Sequence, residues 1–151
     1  MEPSDISEHL DRITTTLAQN PKVNTIYLYG SFAKGDALPS SDIDIGVHLD
    51  SETKPDYRFL GKLLSDINNL HLDRKVDAFV INNMSPLFRF KVIYPNKVLY
   101  CRDHAKRVEF ELKTRRDYED YLPFFNYRVE NAVLEAKRRL DGGASPRKTK
   151  N

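Results

Sequence analysis

Apolar residues recur along the chain with two periods, and the switching between them sets out its elements. Ile6, Leu10, Ile13 and Leu17 follow at steps of four, three and four. That is the spacing of one helix face, so a helix is predicted over 5–19, capped by Ser4 or Asp5 and ended by Asn20-Pro21. VNTIYLYG is β-branched and aromatic up to Gly30, which predicts a strand over 23–29. The stretch SFAKGDALPSSD reads as a turn carrying a short helix, before a second strand over 43–49. From Asp56, the positions Phe59, Leu60, Leu63, Leu64, Ile67 and Leu70 return to helical spacing, with Asn68-Asn69 and His71 marking the end. VDAFVI at 76–81 is a third strand. Ser85-Pro86 supplies a capping hydroxyl and a proline at the first helical position, so a helix is expected over 87–94, stopped by Pro95. A short fourth strand covers 98–100. Strands alternating with helices in this order predict an α/β fold around a small mixed sheet with flanking helices.

Beyond Cys101 charged residues interleave with Val108, Phe110, Leu112, Tyr118, Leu122, Phe125, Val129, Val133 and Leu140 without strand-like alternation. Two helices are predicted there, near 104–121 and 124–140, broken or kinked at Pro123. The closing DGGASPRKTKN has no apolar anchor and is expected to be a disordered basic tail. The organisation expected is a core over 1–101, a C-terminal helical extension packed on it over 102–140, and the tail over 141–151. A chain of 151 residues suits one compact domain.

Charge refines this picture. The 24 basic and 22 acidic residues nearly cancel, which fits neither a disordered polyelectrolyte nor a basic nucleic-acid coat, and no nucleic-acid contact is expected. The balance is uneven along the chain: residues 1–101 hold 11 basic and 13 acidic groups, whereas 102–151 hold 13 and 9. One cysteine excludes a disulfide within the chain and suits the cytoplasm. No run approaches the ~20 apolar residues that span a bilayer, so no membrane association is expected.

The chemistry is concentrated where Gly30-Ser31 is followed by ten residues and then Asp42-Ile43-Asp44. Residues two apart in a strand share a face and lie about 6.6 Å apart. Asp42 and Asp44 therefore point one way while Ile43, Ile45 and Val47 point into the core. With no adjacent Lys or Arg to pair them, two such carboxylates are costly unless a cation joins them, and Mg²⁺ is the natural candidate. Gly30 lets the backbone approach a ligand closely, and the Ser31 amide at the start of a short helix would face an anion such as phosphate. Asp77, in an apolar third strand, would complete a triad able to hold two Mg²⁺ ions and is the nearest acceptor for a proton from an attacking hydroxyl. A lone Asp-x-Asp arises by chance about once in such a chain, but Gly-Ser at this fixed distance lowers the expectation to roughly three in a thousand. His48 shares the carboxylate face but lies about 13 Å beyond Asp44, outside any common metal cluster. Lys75 is expected to be ion-paired or solvated, and Tyr27 and Tyr29 to pack on the sheet.

GSFAKGDALPSSDIDIGV, with a third Asp on a following strand, resembles the DNA polymerase beta-like nucleotidyltransferases, and most of all the minimal nucleotidyltransferase branch. The resemblance covers roughly residues 23–100. It implies that Gly30, Ser31 and Lys34 hold the nucleotide triphosphate, Lys34 standing where the family often has Arg. It implies that Asp42 and Asp44 bind both metals, and that Asp77 binds one and helps deprotonate the acceptor. Only about 40 structured residues follow the core, too few for a separate acceptor domain. The acceptor implied is a tyrosine of a HEPN-type ribonuclease toxin, with ATP as donor, AMP transferred, and the chain acting as antitoxin in a hetero-oligomer. Two alternatives stay open: a small hydroxylated acceptor such as an aminoglycoside, or a toxin-binding antitoxin without catalysis.

Overall fold

The computed structural model describes residues 6–50, 55–95 and 97–142. Four strands, β1 (Val23–Tyr29), β2 (Ile43–Leu49), β3 (Val76–Val80) and β4 (Lys97–Cys101), form one sheet in the order β3-β2-β1-β4. β1 runs antiparallel to both β2 and β4, while β2 and β3 are parallel, so the sheet is mixed as expected. The helices are α1 (Ser7–Ala18), α2 (Gly30–Lys34), α3 (Tyr57–Asn68), α4 (Pro86–Ile93) and α5 (His104–Gly142).

Both faces of the sheet are covered, which is why all seven residues of β1 are buried. On one face Ile26, Leu28, Ile43, Ile45 and Val47 meet Ile13 and Leu17 of α1 and Leu63 and Ile67 of α3. On the other, Tyr27, Tyr29 and Ile81 meet Val92 and Ile93 of α4 and Phe110 of α5. Gly46 sits beneath α4, where a β-carbon would lie 2.4 Å from Val92 Cγ1; the missing side chain is what lets the helix lie so close. The cap expected for α4 is present, Ser85 accepting from the Phe88 amide at 3.3 Å, and α3 has a cap that was not foreseen, Asp56 accepting from the Phe59 amide at 2.8 Å. The cap foreseen at Ser4 or Asp5 lies outside the described residues.

The C-terminal region departs from expectation. One helix of 39 residues runs where two were predicted, with Pro123 inside it. Pro123 and Glu119 are both exposed, so solvent can reach the carbonyl that proline leaves without a donor. Asp141 and Gly142, expected in the tail, belong to this helix; the rest of the tail lies outside the described residues. The first part of α5 is tied to the core: Tyr27 Oη donates to Glu111 at 3.0 Å, Arg89 of α4 pairs with Asp117 at 3.0 Å, and Tyr118 stacks on Phe90 at 3.9 Å. From residue 126 to 142 every residue is exposed. The packed stripe nevertheless continues through Leu122, Phe125, Val129, Val133, Ala136 and Leu140, at steps of three or four.

His48 is buried, stacked on Phe110 at 4.1 Å, and its Nδ1 has no hydrogen-bond partner. Burial pulls its pKa down to about 4, against the opposing pull of Asp50. Between that value and the ordinary ~6.5 the unfolded chain binds the proton and the folded chain does not, so stability is full above pH 6.5 and falls as pH drops towards 4. Denaturant titrations should show the wild type losing about 2 kcal/mol more than His48→Gln between pH 7 and pH 5. Equal losses in the two proteins would contradict a buried neutral imidazole.

Candidate active site

The site forms at the start of β2 and β3, where these parallel strands and the end of β1 meet. Asp42 immediately precedes β2 and Asp44 is its second residue, and the parallel register sets Asp44 directly beside Asp77 of β3. Adjacent strands lie about 4.8 Å apart, so the pairing forces two carboxylates together on one face. On the opposite side Asp44 pairs with Tyr29, the last residue of β1, after which the chain turns at Gly30. The three acids named from sequence are thus brought together, with Gly30 beside them. Ser31 is half-buried in α2, and its carbonyl accepts from the amides of Gly35 and Asp36. Lys34 stands at the last turn of α2, exposed and outside the ion pairs of the carboxylate cluster.

Gly30 has a φ of +71°, a backbone setting that L side chains rarely adopt. A β-carbon there would lie 2.1 Å from Asp44 Oδ2. The glycine therefore has a structural duty beyond admitting a ligand: it makes room for the carboxylate itself.

Burial raises the Asp44 carboxyl above its ordinary range, reinforced by Asp77 and, less strongly, Asp42, with Lys91 and Lys75 opposing. The Tyr29 hydroxyl is pushed up by burial and then by Asp44 and Asp77, so it stays protonated. Repulsion of this kind is what a divalent cation relieves, and three carboxylates are hard oxygen donors of the type Mg²⁺ accepts. The donor set fits such an ion, with Asp42, Asp44 and Asp77 as the residues that would hold it. As they stand, no three His, Cys, Asp or Glu side chains among the described residues are placed so that together they could hold a metal ion, so the three acids would have to shift to take one.

Two expectations need correction. Asp42 and Asp44 were read as having no adjacent cation, yet Lys75, expected to be ion-paired or solvated, is indeed paired: its Nζ lies 3.3 Å from Asp42 Oδ2 and 2.9 and 3.0 Å from the two oxygens of Asp77. The Lys75–Asp42 pair joins residues that immediately precede two neighbouring parallel strands, β3 and β2, and are 33 positions apart in the chain. Asp77 was also placed in an apolar strand, which suggests burial; β3 is instead an edge strand, and the Asp77 side chain is 34% exposed. Three further residues shape the site without having been assigned to it. Arg74 donates to the carbonyls of Pro39 and Ser41, both at 2.8 Å, and lies over the Phe32 ring, fixing the loop that delivers Asp42. Lys91 contributes positive charge near Asp44, and Tyr29 is paired beside Asp44 across β1 and β2. A basic residue next to the third acid was the one available signal for Lys75; Arg74 and Lys91 had none that was specific.

Comparison with known proteins agrees with this geometry. A Methanocaldococcus jannaschii protein that carries the provisional name protein adenylyltransferase is 38% identical over 81 residues, 54% of this chain and 91% of its own length. A chain of a toxin-antitoxin crystal structure with AMP-PNP superposes with a TM-score of 0.69 at 24% identity, over 82% of this chain and 98% of that one. A chain in the re-refined structure of tri-AMPylated Shewanella oneidensis HEPN toxin in complex with MNT antitoxin gives 0.66 at 21% identity, over 83% and 97%. These two likenesses establish the fold. The family described as polymerase beta, nucleotidyltransferase matches residues 11–105, which takes in all four strands and every candidate residue of the site. With that match added to the carboxylate cluster at the Gly30 turn, the chain belongs to the polymerase beta nucleotidyltransferase family.

Proposed function

We propose that this nucleotidyltransferase moves AMP from ATP to a tyrosine hydroxyl of a HEPN-type ribonuclease partner in the cytoplasm, and so acts as its antitoxin. The observation that carries the proposal is the convergence of Asp42, Asp44 and Asp77 beside the Gly30-Ser31 turn. In this reading the turn and Lys34 hold the triphosphate. The carboxylates fix two Mg²⁺ ions, which would neutralise the charge on the transferring and leaving phosphate oxygens. Asp77, part-exposed on the edge strand, takes the proton from the acceptor hydroxyl. The acceptor oxygen bonds to the α-phosphorus as the bond to pyrophosphate breaks, and pyrophosphate leaves. The name given to the Methanocaldococcus relative and the AMPylated toxin in the Shewanella complex support a protein acceptor.

The exposed half of α5 supports the same reading. Val129, Val133 and Leu140 are 44, 48 and 77% exposed along one stripe. A helix of 39 residues is about 58 Å long, enough to carry that stripe well past the core. It is the surface we assign to the partner.

Incubation with α-labelled ATP and Mg²⁺ should move label onto a co-purified partner, with AMP increments on tyrosine by mass spectrometry. Label confined to a small hydroxylated molecule would leave the nucleotidyltransferase and remove the antitoxin. Asp44→Asn should lower transfer by at least ~10²-fold while leaving metal-free thermal stability equal or higher. The sign follows from the raised carboxyl: the ionised form costs stability once pH exceeds the unfolded value, and Asn removes that charge. Gly30→Ala should push the Asp44 carboxylate aside and bring a loss of similar size, read as transfer rate at saturating ATP. Val129→Glu with Val133→Glu should weaken partner binding by about tenfold or more, measured by calorimetry, with nucleotide binding unchanged.

A further inference from the structure

Among the described residues Lys75 is the one cation in ion pairs with two of the three acids, Asp42 just before β2 and Asp77 in β3. Its ammonium spans Asp42 Oδ2 at 3.3 Å and both Asp77 oxygens at 2.9 and 3.0 Å. Lys75 immediately precedes β3, two residues before Asp77, and Ile43 N donates to its carbonyl at 2.9 Å, extending the β2–β3 register to this residue. The acids carry three negative charges between them, and the ammonium answers the electrostatic demand that the strand pairing creates. The Lys75 side chain is 65% exposed, so it can swing into solvent on its flexible stem with little loss of packing.

From this geometry we infer that Lys75 is an internal counter-ion that competes with the divalent metal for Asp42 and Asp77, so that metal enters only by displacing its ammonium. The inference rests on the metal-site reading of the triad. A Mg²⁺ ion needs oxygen ligands at roughly 2.0–2.1 Å in near-octahedral array. Carboxylates gathered around an ammonium nearly 3 Å away cannot offer that array until the ammonium leaves. Lys75 thereby holds the acids together before metal arrives and keeps their affinity for free metal low. It acts through the carboxylates and is a positioning residue rather than a catalytic one. Asp42 and Asp77 also hold Lys75 in its charged form.

The test is Mn²⁺ binding without nucleotide, read by electron paramagnetic resonance on the full chain. Lys75→Met should bind Mn²⁺ about tenfold tighter than wild type, because both the competing ammonium and its repulsion are gone. Lys75→Arg, which keeps the charge, should stay within about twofold of wild type. Asp44→Asn should lose binding, which identifies the triad as the site measured. Wild-type affinity in Lys75→Met, with Mn²⁺ still bound through Asp44, would overturn the role of Lys75 and leave the metal site standing. Absence of Mn²⁺ binding in wild type and Lys75→Met alike would overturn both. Circular dichroism of each variant, at an exposed edge-strand position, confirms that the comparison is made between folded proteins.

Discussion

Like charges are driven together at one corner of this sheet, and most of the surrounding structure can be understood as the means of holding them there. The parallel register of β2 and β3 sets Asp44 beside Asp77, and the turn after β1 presses Gly30 against the Asp44 carboxylate. Neither approach is favourable in itself. They persist because the rest of the sheet leaves no alternative register: Ile43, Ile45 and Val47 are completely buried on the opposite face, and a slip of one residue would turn all three towards the acids' side. Core packing thus enforces an electrostatic arrangement that the acids alone would not adopt.

The two faces of the sheet divide the work. α1 and α3 cover the face that fixes register. α4 and the first part of α5 cover the face that carries the acids, but only over part of its length. The site lies at the start of β2; towards its other end His48 lies stacked and neutral. Gly46 beneath Val92 and Gly30 beside Asp44 mark the two close approaches on this face, and each is a place where a side chain would be in the way. α5 links core and surface, anchored by Tyr27–Glu111 and Arg89–Asp117 before its apolar stripe runs out over solvent.

Much of this was legible in the residues. α1 and α3 announced themselves by apolar periodicity, the strands by β-branched and aromatic runs, and α4 by Ser85-Pro86, whose capping hydroxyl falls where the sequence places it. The pairing of Gly30-Ser31 with Asp42 and Asp44 was legible because all four lie within one hairpin-like passage, where spacing alone constrains geometry. What escaped depends on contacts between segments distant in sequence. The approach of Lys75 to Asp42 requires knowing that β3 lies parallel beside β2, and the exposure of Asp77 requires knowing that β3 is an edge. The unbroken course of α5 escaped for a different reason: proline in a helix is costly where the freed carbonyl is buried, and here that position faces solvent.

The central claim is that the three acids and the Gly30 turn form one metal–nucleotide site. A crystal grown with Mn²⁺ and a non-hydrolysable ATP analogue tests it most directly, through the anomalous difference map. The account predicts Mn²⁺ peaks roughly 2 Å from oxygens of Asp42, Asp44 and Asp77, with the triphosphate against Gly30 and Ser31. A triphosphate bound elsewhere, or Mn²⁺ peaks away from these carboxylates, would contradict it.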